Sequence, residues 1–215
     1  SDLTMARMVR LAKARGVDVG AHPGLPDRQG FGRRELPFGP DELRQQVLYQ
    51  LGALTAIAKA EGVAVSHVSF HAAMGNMVNR DPALAAAMMQ AIRMVDAGLI
   101  VFGTADSVIE RAATQAGLKT LTLFLADRAY DAKGALVPRG QPGALVKDEV
   151  LVRARVRQFL IEGTVTAIDG TILPVRARSV LVHSDTPGSL DLARTVRSEI
   201  EAAGGAVTPV SKLLR

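Results

Sequence analysis

Short apolar segments alternate with amphipathic helical patterns along the 215-residue chain, and this alternation constrains the fold more than any other feature. Apolar residues spaced three and four apart predict helices, and short apolar runs between them predict strands. Continuous apolar strands alternating with helices are typical of a mostly parallel sheet covered on both faces, so we predict an α/β fold. The predicted helices are residues 4–15, 40–61, 82–95, 107–116, 148–161 and 189–203, and the predicted strands are residues 17–19, 65–70, 99–102, 121–125, 180–182 and 206–209.

Three segments depart from this alternation of strands and helices. Asp169-Gly170 is a strong two-residue turn signal and predicts a hairpin between residues 165–168 and 172–175. Residues 22–39 and 127–147 carry neither a helical nor a strand pattern, and loops this long in a compact domain are usually functional or disordered. Because no linker divides the chain, we predict one domain over residues 1–215.

Composition excludes several classes of protein. The absence of cysteine excludes a disulfide framework, a thiolate zinc site and a cysteine nucleophile. No apolar stretch is long enough to cross a bilayer, and the first residues do not resemble a signal peptide. The balance of 26 Lys and Arg against 21 Asp and Glu is basic, but only 4% of residues are aromatic, which argues against nucleic-acid binding. We therefore expect a cytoplasmic protein with neither a membrane nor a nucleic-acid partner.

Polar residues follow the predicted strands at the edge of the sheet where parallel α/β folds bind ligands. These residues are His22, His71, Asp127 and His183. Imidazole can act as a general base near neutral pH, and Asp127 or Asp185 could orient it or act as the base itself. Two histidines and a carboxylate could instead hold a divalent metal. His67 lies inside a predicted strand, and we predict a structural role for it.

The two long loops add hydrogen-bond donors. They carry Asp27, Arg28 and Arg33 in the first loop, and Arg128, Tyr130 and Arg139 in or beside the second. The planar guanidinium suits a carboxylate or a phosphate, so these residues indicate a small anionic ligand. Alternatively, the arginines pair with loop carboxylates and only order the loops. Neither a phosphate-binding loop nor a dinucleotide fingerprint is present, which argues against a self-contained nucleotide site.

Several of these residues stand in motifs of a known family. Residues 20–28, GAHPGLPDR, with FGR at 31–33, resemble the "GAHPSFPDR…FGR" signature of the LamB/YcsF family, which includes the A subunit of bacterial 5-oxoprolinase. ADRAY at 126–130 is similar to "ADRGY", LVPR at 136–139 with GAL at 143–145 resembles "LVPR…GAL", and HSD at 183–185 resembles "HGD". The similarity runs over essentially the whole chain.

The resemblance implies a distorted (β/α) barrel related to those of glycoside hydrolases and polysaccharide deacetylases. It implies hydrolysis of the activated lactam of 5-oxoproline to L-glutamate, with ATP as co-substrate handled by partner subunits B and C. A homo-oligomer is a further expectation. In this hypothesis His71 or His183 activates water, Asp127 or Asp185 orients it, and Arg33, Arg128 and Arg139 hold carboxylate and phosphate. The remaining predicted substrate-binding residues are His22, Asp27, Arg28 and Tyr130.

Two departures from the family pattern stand out. The family opens with "DLNADLGE" and then "CGFHAGD", whereas this sequence begins with Ser1-Asp2, which resembles the tail of the second motif. We therefore expect a chain that is truncated relative to the family and lacks its first strand. Residues 69–74 read SFHAAM where the family usually reads "KPHGALY", so His71 is kept and its neighbours are changed. Altered specificity or reduced activity is the expected consequence.

Two other functions remain open at this point. One is a metal-dependent deacetylase or amidohydrolase of the same barrel superfamily, using His22, His71 and a carboxylate. The other is a non-catalytic family member that binds a small anion or serves in an assembly. Stoichiometric transition metal would favour the first, and ligand binding without turnover would favour the second.

Overall fold

The computed structural model describes residues 2–213. In chain order the elements are α1 (Asp2–Ala14), β1 (Val19–Ala21), α2 (Pro40–Ala60), β2 (Val65–Val68), α3 (Ala72–Arg80), α4 (Pro82–Val95), β3 (Ile100–Gly103), α5 (Val108–Gln115), β4 (Lys119–Leu125), α6 (Glu149–Glu162), β5 (Thr164–Thr166), β6 (Ile172–Pro174), β7 (Ser179–Leu181), α7 (Ser189–Ala202) and α8 (Val210–Leu213). They form two compact units: unit 1 runs to Leu121 and resumes at Thr208, and unit 2 spans Thr122–Val207. The prediction of a single domain stays a prediction.

The main sheet is parallel, as the sequence predicts. Strand β2 pairs in parallel with β1 and β3, and β4 pairs in parallel with β7. The strand order is β1-β2-β3-β4-β7, and β4 begins in unit 1 and continues into unit 2. Strands β5 and β6 form the predicted antiparallel hairpin around Asp169-Gly170. The α/β class and the mostly parallel sheet are therefore confirmed.

The core of unit 1 lies on the predicted apolar faces of its helices. Val47 and Leu51 of α2 and Met88 and Ile92 of α4 are completely inaccessible to solvent. They belong to one hydrophobic cluster that includes Val68 of β2. Burying such side chains contributes about 1.5–3 kcal/mol each, which holds the helices against the strands. No helix within residues 2–213 combines the length and the apolar character needed to span a membrane.

Side-chain caps fix the starts of two helices. The carboxylate of Asp81 accepts hydrogen bonds from the backbone N–H groups of Ala83 and Leu84, and Pro82 occupies the first position of α4. Asp148 accepts the corresponding bonds at the start of α6. Such caps stabilise a helix by about 1 kcal/mol because they satisfy N–H groups that have no partner within the helix. Both predicted helix starts are confirmed.

One predicted strand is absent from the structure, and one helix is not predicted. Residues 206–209, predicted as a strand, have no regular structure, and α8 follows directly. Pro209 has no N–H to donate to a sheet, and it precedes a helix instead. Residues 72–80 form α3, which has no side-chain cap at its start that the sequence could reveal. Met94 of α4 is 68% exposed, and its sulfur accepts from Arg44 at 3.3 Å.

Candidate active site

Unit 1 brings His22 and His71 into contact just beyond the ends of β1 and β2. Hydrogen bonding between the two segments continues past both strands, because Ser69 N–H donates to Ala21 O at 3.0 Å and His71 N–H donates to Pro23 O at 2.8 Å. His22 Nε2 consequently lies 3.1 Å from His71 Nδ1. The two rings meet edge to face, with centroids 5.0 Å apart.

In each ring, the nitrogen that does not face the other histidine lies beside a backbone carbonyl, and this contact indicates which nitrogen carries hydrogen. His22 Nδ1 lies 2.7 Å from Ser69 O, and His71 Nε2 lies 2.7 Å from Phe31 O. A carbonyl oxygen only accepts, so both of these nitrogens carry hydrogen. The two nitrogens that face each other then both present lone pairs when the rings are neutral. Their 3.1 Å contact would be satisfied by one further proton or by a cation between them.

Two glycines and a left-handed turn enclose the ring of His71. Phe31 has φ 54° and Gly32 has φ 67°, and this turn directs the Phe31 carbonyl to His71. A Cβ atom at Gly32 would lie 3.0 Å from His71 Cδ2, and one at Gly24 would lie 3.1 Å from His71 Cβ. Backbone strain of this kind is often found at functional sites. Sequence reasoning missed this enclosure, although the glycines beside the histidine motif were its visible signal.

Asp27 orders the first long loop. Its carboxylate is buried, forms an ion pair with Arg34 and accepts from Gly30 N–H at 2.9 Å. The hydrogen bond from Arg34, followed by that from Gly30, lowers the pKa of Asp27 to about 2. These contacts match the alternative in which loop charges pair with each other, with Arg34 as the partner of Asp27. Arg28 and Arg33 are exposed, with the Arg33 guanidinium 5.1 Å from the centre of the Phe31 ring.

Unit 2 joins Asp127 to His183 in the same way. The parallel pairing of β4 and β7 continues as Ala126 N–H donates to Leu181 O at 3.1 Å, so the residues that follow both strands are neighbours. Asp127 is completely buried and accepts from His183 Nδ1 at 2.9 and 3.0 Å. It also accepts from the His183 backbone N–H at 3.1 Å and from the Thr186 hydroxyl at 3.0 Å. Thr186, itself buried, is a site residue that the sequence analysis missed.

The charge states of this pair follow from its hydrogen bonds. Burial raises the pKa of Asp127, but the hydrogen bonds and charge of His183 outweigh burial, so the pKa lies below its ordinary value. Asp127 is therefore ionised at neutral pH. Because His183 Nδ1 faces this carboxylate, Nε2 is the nitrogen that presents a lone pair when the ring is neutral, and the side chain is 26% exposed. A histidine held in this tautomer by a buried carboxylate can accept a proton from water.

The second long loop is tied together by residues predicted to bind substrate. Arg128 is buried, and its guanidinium donates to Ala144 O at 3.3 Å and to Val137 O at 2.6 Å. The Tyr130 hydroxyl accepts from Leu125 N–H at 3.0 Å, and burial raises the pKa of this phenol. These contacts favour structural roles for both side chains. Arg139 is half-buried and Asp185 is exposed, and their predicted roles stay predictions.

His67 occupies the interior of β2, where a structural role is predicted. Its ring stacks on Phe102 with centroids 4.3 Å apart. Its Nδ1 lies 2.8 Å from the hydroxyl of Ser66, which itself donates to Val19 O. The ring fills the space beside Gly20, where a Cβ would come within 2.1 Å of Nε2. Burial lowers the pKa of His67 and keeps the ring neutral.

The donor set for a metal is incomplete within residues 2–213. No three His, Cys, Asp or Glu side chains of this part of the chain lie close enough together to hold an ion. His22 and His71 offer two nitrogens that face each other, whereas a catalytic zinc site uses three protein ligands. The described residues therefore do not fit a three-ligand zinc site, and the metal prediction stays open.

Comparison with known proteins identifies the family. The family model described as LamB/YcsF matches residues 1–215. The chain belongs to the LamB/YcsF family. Within it, the chain is 73% identical over 209 residues to the 5-oxoprolinase A subunit 2 of Agrobacterium fabrum, covering 97% of this chain and 82% of the relative. It is 64% identical over 210 residues to the 5-oxoprolinase A subunit of Pectobacterium atrosepticum, covering 98% and 82%.

A solved structure shares the fold of this family member. The lactam utilization protein of Thermus thermophilus aligns with a TM-score of 0.89 and 41% sequence identity. The alignment covers 96% of this chain and 83% of that protein. Because identity and structural agreement extend over nearly the whole chain, the predicted family and fold are both confirmed.

Proposed function

We propose that this chain is the A subunit of a 5-oxoprolinase and opens the lactam ring of 5-oxoproline to give L-glutamate. The observation that carries the proposal is the high identity, 73% and 64%, to two relatives that bear this name. The Thermus thermophilus relative, named as a lactam utilization protein, supports the same substrate class. ATP and two partner subunits, B and C, belong to the proposal as co-substrate and partners.

ATP serves this reaction by activating the substrate. A lactam carbonyl is a poor electrophile, and phosphorylation of its oxygen turns that oxygen into a leaving group. The sequence contains neither common nucleotide-binding motif, so we assign ATP binding to the partner subunits. This chain would then supply water and proton transfer to the activated intermediate.

Asp127 and His183 are the pair best prepared for that proton transfer. The lone pair of His183 Nε2 can accept a proton from the attacking water while Nδ1 donates to Asp127. The buried carboxylate holds the ring in this tautomer and stabilises the imidazolium that forms. Thr186 and the His183 backbone N–H hold the carboxylate in turn.

The pair of His22 and His71 is suited to a different role. With one proton between the facing nitrogens, the pair is cationic and can bind a carboxylate or phosphate oxygen or deliver a proton. Arg33 and Arg28, exposed on the same loop, are the further candidates for holding the substrate anion. Replacement of His71 by Ala should abolish lactam opening and leave the fold intact.

The proposal is tested by measuring glutamate release from 5-oxoproline with ATP and the two partner subunits. Asp127→Asn and His183→Ala should each lower kcat by about 10²–10⁴-fold, the usual contribution of general acid–base catalysis. Asp191→Asn is the matched control, since Asp191 is exposed and pairs with Arg194 across one helical turn. Full activity of Asp127→Asn would contradict the catalytic role of the Asp127–His183 pair. If the parent chain with competent partner subunits released no glutamate, the proposed 5-oxoprolinase function would be wrong.

The facing nitrogens of His22 and His71 favour one second candidate, a metal-dependent hydrolase. Two imidazole nitrogens 3.1 Å apart could share a cation if further ligands came from outside the described residues. Metal analysis of protein purified without chelator separates the candidates. Stoichiometric zinc, with ATP-independent hydrolysis, would favour the metal hydrolase over the 5-oxoprolinase function.

A further inference from the structure

We propose that Arg155 of α6 is a positioning residue for the Asp127–His183 pair. The proposal rests on the proposed function in one respect, because it takes this pair to be catalytic. Arg155 touches neither side chain; it acts on the backbone that carries Asp127.

The contacts of Arg155 lie on both sides of Asp127. Its Nη2 donates to Arg128 O at 2.7 Å and its Nε donates to Ala126 O at 3.4 Å. These are the carbonyls of the residues directly after and directly before Asp127. A third donor, Nη1, reaches Thr166 O of β5 at 3.3 Å. One planar guanidinium thus joins the loop that carries the carboxylate to a strand of unit 2.

The surroundings of Arg155 keep its side chain in one orientation. The guanidinium carbon lies 5.9 Å from the centres of both the Phe124 and Tyr130 rings. No carboxylate within residues 2–213 forms an ion pair with Arg155, so the backbone carbonyls are its hydrogen-bond acceptors. Burial lowers the pKa of Arg155, and Tyr130 and the charge of Asp127 act in the opposite direction.

The other arginines of α6 show that this placement is specific to one helix face. Arg153 and Arg157 both pair with the buried carboxylate of Glu199 on α7, at 2.6 and 3.3 Å. Positions 153 and 157 are one turn apart, and position 155 lies on the opposite side of the helix. Val152 and Val156, completely buried, anchor the helix between these faces. Of these three arginines of α6, Arg155 is therefore the one that reaches the loop carrying Asp127.

Arg155→Met tests the proposal because it keeps an unbranched apolar stem at position 155 and removes the guanidinium with its hydrogen bonds. In the full chain assayed with ATP and the partner subunits, we expect kcat for glutamate release to fall about 10- to 100-fold, with KM changed less. Small displacements of catalytic groups commonly cost this much. Arg155→Lys, which keeps the charge and can reach one carbonyl, should recover part of the rate.

A spectroscopic signal reports directly on the positioned pair. The Nδ1 proton of His183, donated to a buried carboxylate, should give a downfield proton resonance in the isolated chain. We expect Arg155→Met to shift or broaden that resonance and Arg155→Lys to shift it less. Arg157→Met is the matched control, because Arg157 lies one half-turn away on the same helix and contacts Glu199 instead. It should keep both the resonance and the rate of the parent chain.

The outcomes separate the two proposals. A folded Arg155→Met chain with the parent's resonance and kcat would overturn the positioning role, as would an equal loss in Arg157→Met. If Arg155→Met does not fold, a folded Arg155→Lys with the parent's resonance and kcat overturns it in the same way. A His183 resonance that shifts in Arg155→Met supports the positioning role even when the parent chain releases no glutamate. The absence of glutamate release would overturn only the proposed function.

Discussion

Gly32 combines a left-handed backbone with close contact to a candidate catalytic ring. Its φ is 67°, and a Cβ atom there would lie 3.0 Å from His71 Cδ2. In Gly32→Ala we expect the free energy of unfolding to fall by about 1–2 kcal/mol, because alanine is strained in this conformation. The displaced His71 should also lower kcat for glutamate release about 10-fold. Urea denaturation and the coupled assay measure the two effects.

Gly134 provides the matched control for this prediction. Its φ is 81°, but a Cβ atom there would meet nothing within 4 Å. Gly134→Ala should therefore lose about 1 kcal/mol through strain alone and keep the parent's kcat. Equal effects of the two substitutions on kcat would show that the fit of Gly32 against His71 has no catalytic consequence.

Ala72 is strained at the position where the family motif has glycine. Its φ is 41°, a conformation that costs a residue with a Cβ about 1–2 kcal/mol. Ala72→Gly should raise the free energy of unfolding by about 0.5 kcal/mol, since relief of strain exceeds the added chain entropy of glycine. Ala86→Gly on the exposed face of α4 should instead lower it by about 1 kcal/mol. Destabilisation by both substitutions would contradict the strain at position 72.

The first long loop, residues 22–39, depends on the ionised form of Asp27. The pKa of this carboxyl falls from 3.8 to about 2 in the folded chain, so folding favours the ionised form. Its contribution to stability is complete above about pH 4 and is lost as the pH falls through about 2. Gly30 N–H donates to the Asp27 carboxylate and Gly32 N–H donates to the Asp27 backbone carbonyl. We expect the protection of both amides against hydrogen exchange to fall over this pH range.

Asp27→Asn checks that this acid response belongs to the loop. The variant should be less stable than the parent at pH 7, and the difference in thermal midpoint should shrink as the pH falls from about 4 through about 2, because Asp27 becomes protonated in the parent over this range. Asp191→Asn should show no comparable difference at either pH, because Asp191 and Arg194 are both largely exposed. A pH-independent difference for Asp27→Asn would contradict the role of its charge.

Helices and strands are predictable from the sequence where a local signal, such as a cap or an apolar spacing, specifies the same structure that the tertiary contacts favour. Helices α4 and α6 begin at Asp81 and Asp148, which supply their own caps, and their apolar spacing needs no other information. Helix α3 has no such local signal because it is set by long-range contacts, such as Ala73 N–H with Gly32 O at 3.2 Å. The apolar residues 206–209 mislead because short apolar runs do not distinguish a strand from irregular chain.

The candidate site is predictable from the sequence only where strand pairing determines which residues are neighbours. Position at the ends of parallel strands places His22 near His71 and Asp127 near His183, because parallel pairing dictates those neighbours. The partners in the loops are not predictable in this way. Whether Arg33 or Arg34 pairs with Asp27, and whether Arg155 faces the loop, depends on side-chain direction that no local pattern encodes.

At the scale of the whole molecule, the chain returns to unit 1 after completing unit 2. The described part of this return includes Val210, which is buried with Ile100 and Leu121. Ser211 N–H and its hydroxyl donate to the carboxylate of Asp18 at 2.8 and 2.9 Å. These partners are 193 residues apart, so their contact closes unit 1 only after unit 2 has been traversed.

A contact between such distant residues should form late in folding, because loop closure must precede it. Val210→Ala should lower the free energy of unfolding by about 1–2.5 kcal/mol, as expected for truncating a buried side chain. Stopped-flow measurements should place most of this loss in faster unfolding, with the folding rate nearly unchanged. Leu213→Ala is the control, since Leu213 is exposed and its truncation should change stability by less than about 0.5 kcal/mol. If Val210→Ala and Leu213→Ala lower the free energy of unfolding equally, burial of Val210 does not stabilise the closure of unit 1. If Val210→Ala instead folds more slowly than the parent, this contact already forms in the transition state for folding.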